Sequence, residues 1–414
     1  MKSSTSSFSL IVFLLLITFS EHYVYSQLQG KDILKENYII GESSELFTIR
    51  TQNDTVEFRI FDADGSINED GILEKDRVLI LENDLQVLND GSPVRILSGF
   101  FDSDRYSDVV AAWQVRDTNI VMYIPEIDPN SLKVTSDYKI NLTGDEMPEY
   151  YVRNNSLPRL LSLKKGQLDD DPQEEIVLAY MTDREGTEGG PLWIAIYDMD
   201  ENTGMPVLKD SAYTIMLKPD MYNAANGISR GSLYDICTGD FNEDGLDEIV
   251  LVAVTEYPDD DDFGWRLDAY LYRMMDGEIE YMFKTSEPFH SDKSNSNDYI
   301  RRLAVVAGNF DNDFVEDVAV SYQIVETGVG SSQIFLRAVR GSSTGFGLMG
   351  EEERIDGSNG NNGWPLTMYA ADADRNGFEE VQLAARNTLK SYSFDENMNS
   401  LSQLSPVNAY GLYN

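Results

Sequence analysis

Oxygen-bearing side chains recur at alternate positions of short, glycine-led loops in this 414-residue chain. The clearest stretch is 239–252, Gly-Asp-Phe-Asn-Glu-Asp-Gly-Leu-Asp-Glu-Ile-Val-Leu-Val. With Asp240 as loop position 1, Asp240, Asn242, Asp244 and Glu248 hold positions 1, 3, 5 and 9. Alternation converges hard oxygens on one point while the intervening side chains face away. Ca²⁺ takes about 6–8 such oxygens in a forgiving geometry. Gly245, at position 6, permits the φ > 0 turn that wraps backbone around an ion. The carbonyl of Leu246, at position 7, offers one more ligand. The chemistry expected here is cation binding.

The first half of this loop matches an EF-hand, but position 12 is Leu251 where an EF-hand needs a bidentate glutamate. The run from Ile249 to Val254 is β-branched and apolar, so a strand is expected to follow the loop, not a helix. The phrase then recurs. One copy carries Asn309, Asp311, Asp313 and Asp317; another carries Asp372, Asp374, Asn376 and Glu380; a weaker one carries Gln167, Asp169, Asp171 and Glu175. The weakest starts at Gly99 and has Phe100 at position 1 and Arg105 at position 6, where a cation could stand in for metal charge. The leading positions 99, 166, 239, 308 and 371 are 67, 73, 69 and 63 residues apart. A near-constant period means one supersecondary unit repeated, each burying its apolar face on its neighbours.

The shared pattern is Gly-Asp-x-Asn/Asp-x-Asp-Gly-x-x-Asp/Glu followed by two aliphatic residues. It resembles the FG-GAP (VCBS-type) repeat of integrin α-chain β-propellers and of many secreted proteins, over residues 94–395. The resemblance implies four-stranded blades whose first two strands are joined by the acidic loop, with a structural Ca²⁺ in that loop. It implies adhesion, carbohydrate binding or a scaffold role beside an enzyme domain, without choosing among them. The loops differ in quality. Gly377 completes the turn at Asp372; Phe314 replaces that glycine in the Asn309 copy and Pro172 in the Gln167 copy, and proline cannot take the left-handed turn.

The elements needed to position these loops can be read from the same period. Each unit has a strand ending at the leading residue, the loop, an apolar strand such as Asp108 to Trp113, and two more strands. Third strands are expected at 119–124, 192–197, 267–272 and 333–339, and fourth strands near 133–140, 212–217 and 279–283. The apolar runs after each loop are expected to be the buried inner strands, with the later strands toward the rim. No window sustains a capped helical period. The fold class expected is therefore all-β, a propeller with six blades, seven being the alternative. Residues 91–414 carry the repeats, and 27–90 form a degenerate blade or ring-closing strands.

Residues 1–26 read as a secretory signal: Lys2, an apolar core from Phe8 to Phe19, and Val24-Tyr25-Ser26 before a cut at Gln27. The mature chain is thus expected to be secreted, with no membrane insertion. The net charge is −40, which argues against nucleic acid and anionic lipid surfaces. Such self-repulsion costs stability that bound Ca²⁺ would offset. The lone cysteine, Cys237, rules out an intrachain disulfide and is expected to be buried. Sequons at Asn53, Asn141 and Asn154 are expected surface sites for glycan.

Catalytic signals are sparse. His290 is the one histidine after the signal, beside Ser286, Ser291 and Asp292, and no nucleophile elbow, zinc set or phosphate loop appears. Two loops, 257–265 with Trp265 and 359–365 with Trp364, place aromatics where a sugar face could stack. The function expected is a binding or adhesion module for an extracellular protein or carbohydrate ligand. The alternatives are a polysaccharide-acting hydrolase or lyase on the same scaffold, or a structural N-terminal module of a longer extracellular protein.

Overall fold

The computed structural model describes twenty-six strands and, of the connecting segments, residues 100–102, 167–174, 200, 203–205, 240–247, 276–277, 309–311, 313, 315–316, 341–342, 345–346, 378–379 and 395. No helix occurs among the described residues.

The strands form six antiparallel meanders in chain order. The first sheet is β1 (Tyr23–Tyr25), β2 (Lys31–Ile39), β3 (Ser43–Gln52), β4 (Thr55–Asp62) and β5 (Arg77–Asn83). The second is β6 (Val94–Gly99), β7 (Asp108–Val115), β8 (Asn119–Asp128) and β9 (Lys133–Leu142). The third is β10 (Leu161–Gly166), β11 (Glu175–Met181), β12 (Gly190–Met199) and β13 (Pro206–Leu217). The fourth is β14 (Leu233–Gly239), β15 (Glu248–Pro258), β16 (Phe263–Met275) and β17 (Glu278–His290). The fifth is β18 (Tyr299–Gly308), β19 (Asp317–Glu326), β20 (Ser331–Arg340) and β21 (Gly347–Asn359). The sixth is β22 (Leu366–Ala371), β23 (Glu380–Ala385), β24 (Thr388–Phe394) and β25 (Leu401–Gln403), with β26 (Val407–Asn408) pairing back on β24.

The first strands of the second to sixth sheets lie side by side, β6, β10, β14, β18 and β22; in the first sheet β2 lies by β6 and β1 by β22. The chain is a six-bladed β-propeller. β1 falls inside the segment expected as a leader and pairs with β2; cleavage before Gln27 would remove it.

Burial explains why the strands after the loops read as unbroken apolar runs. On β15, Val250, Val252 and Val254 pack toward the fifth sheet with Val318, Val320 and Tyr322. The alternate residues Ile249, Leu251 and Ala253 pack toward the third sheet with Val177, Ala179, Ile194 and Ile196. Both faces of the strand are buried, so neither parity is polar. The runs after the loops are buried inner strands, as expected; the strands before the loops border the axis, and the apolar strands stand second.

An innermost strand leaves an edge of unpaired backbone groups. Side chains from neighbouring blades fill part of it. The Asp235 carboxylate on β14 accepts the Ser162 hydroxyl of β10 at 2.6 Å and the Val305 N–H of β18 at 3.0 Å. Lys164 donates to the Val305 carbonyl at 3.5 Å, and the Thr238 hydroxyl donates to the Lys165 carbonyl. These bonds join three consecutive blades around the axis.

Candidate metal centre

Every described loop of the repeat joins the first two strands of its blade, and the register is the same each time. The residue before position 1 pairs with position 9: Gly99 with Asp108, Gly166 with Glu175, Gly239 with Glu248, Gly308 with Asp317 and Ala371 with Glu380. Because position 9 begins the buried second strand, its carboxylate is held inside. Glu175, Glu248, Asp317 and Glu380 are at most 2 % exposed. A backbone N–H at position 2 fixes that carboxylate: Leu168 to Glu175 at 2.7 Å, Phe241 to Glu248 at 3.0 Å and Phe101 to Asp108 at 3.1 Å.

The loop from Asp240 shows the conformation in full. Asp240 accepts the N–H groups of Asn242 (3.3 Å), Asp244 (3.2 Å) and Gly245 (2.9 Å). Asn242 accepts the Asp244 N–H at 2.8 Å, and Asp244 accepts the Leu246 N–H at 2.9 Å. Asn242 also donates to Glu248. Each oxygen-bearing side chain is therefore turned back over its own loop, at φ +61° for Glu243 and +89° for Gly245. The structure links Asp240, Asn242, Asp244 and Glu248 in one hydrogen-bonded loop, with the Asn242 amide nitrogen turned to Glu248; among the described residues, the carboxylates that converge within shared-ion distance are those of Asp169, Asp171 and Glu175.

In the loop from Asn309, Asp311 accepts the Asp313 N–H at 2.9 Å and Asp313 accepts the Val315 N–H at 3.1 Å. Arg340, at the end of β20, donates to Asp311, and the Gly341 N–H reaches Asp317 at 3.0 Å. Two buried oxygens, Asn309 Oδ1 and Asp317 Oδ2, have no hydrogen-bond partner among the described residues. Orphaned buried oxygens at positions 1 and 9 are what a bound cation would satisfy.

The loop from Gln167 is filled differently. Asp169, Asp171 and Glu175 bring carboxylate oxygens together, and the Gln167 amide donates to the Asp169 carbonyl at 2.8 Å and to that of Asp171. The ammonium of Lys209 lies among the carboxylates. In the last repeat Glu380 is buried at the start of β23, while Asp372, Asp374 and Asn376 lie outside the described residues. So do Arg105, Asn53, Asn154 and Trp364; Asn141 lies on β9.

Two features were missed by reading positions 1, 3, 5 and 9 alone. The first is position 2. Phe101, Leu168, Phe241 and Phe310 are buried to 2 % or less, each wedged between its own blade and the next. The second is position 8, which latches the preceding blade. Its N–H donates to the position-1 carbonyl of that blade: Glu174 to Phe100 (2.9 Å), Asp247 to Gln167 (2.7 Å), Glu316 to Asp240 (3.2 Å) and Glu379 to Asn309 (2.9 Å). In three pairs the same residue's carboxylate accepts the position-1 N–H: Glu174 from Phe100 (2.8 Å), Asp247 from Gln167 (3.0 Å) and Glu379 from Asn309 (3.0 Å). In the fourth pair Glu316 fills the space beside Gly239, where a β-carbon would stand 1.9 Å from its carboxylate oxygen. The leading glycine is needed for this close approach. Ala371 takes its place in β22, whose next neighbour β1 follows no such loop.

Charge-assisted bonds of this kind contribute about 1.5–3 kcal/mol each. Asp247→Ala is accordingly expected to lower unfolding stability by about that amount in a urea titration, since it strands the Gln167 N–H. A loss within error of zero would show that the latch is incidental.

Burial dominates the electrostatics of these acids. It pushes Asp247 up to about 6, Glu248, Asp317 and Glu175 up to about 7, and Glu316 up to about 8, with neighbouring carboxylates adding to each shift. Their ordinary values are 3.8 for aspartate and 4.5 for glutamate. A raised folded pKa means the folded state holds protons that the unfolded chain has released. That stability is present below the unfolded values and is lost as pH rises through the folded ones. Metal-free protein is therefore expected to melt at progressively lower temperature from about pH 5 to about pH 8. A metal-free melting temperature that climbs over this window would contradict the burial.

The catalytic reading gains nothing from the geometry. The Ser286 hydroxyl donates to Asp268 at 2.6 Å, and Asp268 also holds Arg266 (2.9 Å) and Lys284 (3.1 Å). His290 is four residues along the same strand, about 13 Å away at ~3.3 Å per residue. Ser291 and Asp292 lie outside the described residues. Cys237 is buried, and burial pushes its thiol pKa well up, which leaves it inert.

No family model and no curated protein matches the chain. Solved structures resemble it in outline. A fucoside-bound Aleuria aurantia lectin, described as a six-bladed β-propeller, is 9% identical over 93% of this chain and 97% of that one, with a TM-score of 0.44. The periplasmic gluconolactonase of Pseudomonas aeruginosa is 11% identical over 94% of this chain and 85% of that one, TM-score 0.40. Extracellular domains of Drosophila semaphorin 1b are 7% identical over 89% and 84%, TM-score 0.31. Likeness at this level carries nothing about ligand or activity.

Proposed function

We propose that this chain is a secreted, FG-GAP-type propeller, held together by Ca²⁺, that acts as a binding or adhesion module for an extracellular protein or carbohydrate. The observation that supports the calcium part is the loop from Asp240, where four oxygen-bearing side chains at alternate positions fold back over one turn. The Asn309 loop supports it with two buried oxygens lacking partners. Asp240, Asn242, Asp244 and Glu248 would hold one ion with the Leu246 carbonyl. Asn309, Asp311, Asp313 and Asp317 would hold a second, and Asp372, Asp374, Asn376 and Glu380 a third. The ions supply charge compensation to carboxylates that burial otherwise drives toward protonation.

The binding part rests on composition and on the loops that place aromatics beside polar residues. A net charge of −40 disfavours polyanionic partners. A glycan array with calcium present, read for both retained protein and released oligosaccharide, tests it. Retention without release is the expected result. Release would identify a polysaccharide-acting enzyme, and failure to bind any glycan would leave a protein ligand to be sought by cell-surface capture.

A further inference from the structure

Four carboxylates surround the ammonium of Lys209. It lies 2.5 Å from Asp169, 3.0 Å from Asp198, 3.3 Å from Glu175 and 3.7 Å from Asp171. Asp169, Asp171 and Glu175 occupy positions 3, 5 and 9 of the third blade's loop, the places from which the fourth blade's loop presents Asn242, Asp244 and Glu248. Lys209 arrives from β13, the outermost strand of the same blade, across Asp198 on β12. The rest of the loop agrees with this filling. Gln167, at position 1, points its amide nitrogen at the loop's own carbonyls. Pro172 at position 6 cannot take the left-handed turn that Gly245 takes at φ +89°.

We infer that Lys209 is a covalently tethered replacement for the metal ion of the third blade, so that this loop takes no divalent cation while its side chain is present. The inference builds on the calcium reading of the neighbouring loops. An ammonium carries one charge and three donors. It satisfies three carboxylates directly without a cost in ion concentration, and it stays when calcium is withdrawn. The fourth blade carries no cation there: the bulge position of its outermost strand that corresponds to Lys209 is Met282, and Arg273 on its third strand is paired with Glu280 at 3.4 Å. The fifth is intermediate, since Arg340 binds Asp311 but leaves Asp317 Oδ2 without a partner. Calcium dependence is thus confined to part of the ring, and the third blade keeps its loop in chelator.

The inference makes an unusual demand: removing a positive charge should create a cation site. Calcium stoichiometry is to be measured on the full chain by isothermal titration calorimetry, with terbium luminescence as a second readout. Lys209→Met is expected to bind one more ion than the wild type, and its melting temperature should respond to chelator more strongly. Asp171→Asn in the wild-type background should leave stoichiometry unchanged. A folded Lys209→Met that binds no additional ion overturns the inference, as does an Asp171→Asn that loses one. Should Lys209→Met fold only when calcium is supplied, the inference is supported; should it fold under neither condition, Asp171→Asn decides. A wild type that binds no calcium at all would sink the reading of the other loops, while the difference between Lys209→Met and wild type still settles this one.

Discussion

Withdrawing calcium is expected to lower the melting temperature by on the order of 3 °C for each loop that was filled. A site saturated at about a hundred times its Kd contributes about 2.7 kcal/mol to the folded state. At an unfolding entropy of about 2.1 cal/mol/K per residue, each kcal/mol moves the midpoint of a chain this long by about 1 °C. The ion acts where the cost of its absence is greatest. Glu248 and Asp317 are buried carboxylates that neighbouring carboxylates also push toward protonation. Asp244→Ala should remove one site's share of the chelator response and leave the remainder. Asp244 is the natural choice for the substitution because its hydrogen bond runs only to the Leu246 N–H within the loop, so little packing is lost with it. Thermal melts with and without chelator, on wild type and variant, give the comparison. Superimposable melts of the wild type in the two conditions would refute the prediction.

The second large effect is in packing. Phe241→Ala is expected to cost about 3–5 kcal/mol. Phe241 is fully buried between the fourth and fifth blades. Its ring meets Phe346 edge-on at 5.6 Å and 87°. A β-carbon on Gly341 would stand 2.8 Å from it and 2.3 Å from the Glu316 carbonyl, so Gly341 cannot grow to fill the hole. The contact with Glu248 is made by the Phe241 backbone N–H, which alanine keeps. Calcium stoichiometry should therefore be unchanged while urea stability collapses. A variant that keeps its stability, or that loses its ion along with it, would show that position 2 is not an independent wedge.

The loops and the strands after them were legible in the sequence because both carry strong local patterns. Alternate oxygens at Asp240, Asn242 and Asp244 and the run from Ile249 to Val254 each admit few other readings. The leading glycines fixed the period, and six antiparallel sheets follow from it. What the sequence obscured is contact between units. Asp247, Glu316 and Glu379 look like surplus acid beside a stronger motif, yet position 8 is acidic in every copy whose preceding blade carries a loop: Glu174, Asp247, Glu316 and Glu379, with Ser107 in the first copy. That correlation was available and marks the latch. Which strand borders the axis was hidden for a related reason. Hydrophobicity reports how many faces are covered, and the second strand of a blade is covered on both, so it reads as more interior than the strand that borders the axis. Lys209 could not have been found by spacing alone, since it lies 40 residues from Asp169 and on a rim strand that otherwise reads as solvent-facing.

Anomalous diffraction from crystals grown with a lanthanide in place of calcium tests the central claim most directly. The account predicts a strong peak among Asp240, Asn242, Asp244 and Glu248, with the Leu246 carbonyl in its coordination sphere, and no peak beside Lys209. Density absent from the Asp240 loop, or present among Asp169, Asp171 and Glu175 with Lys209 displaced, would contradict it.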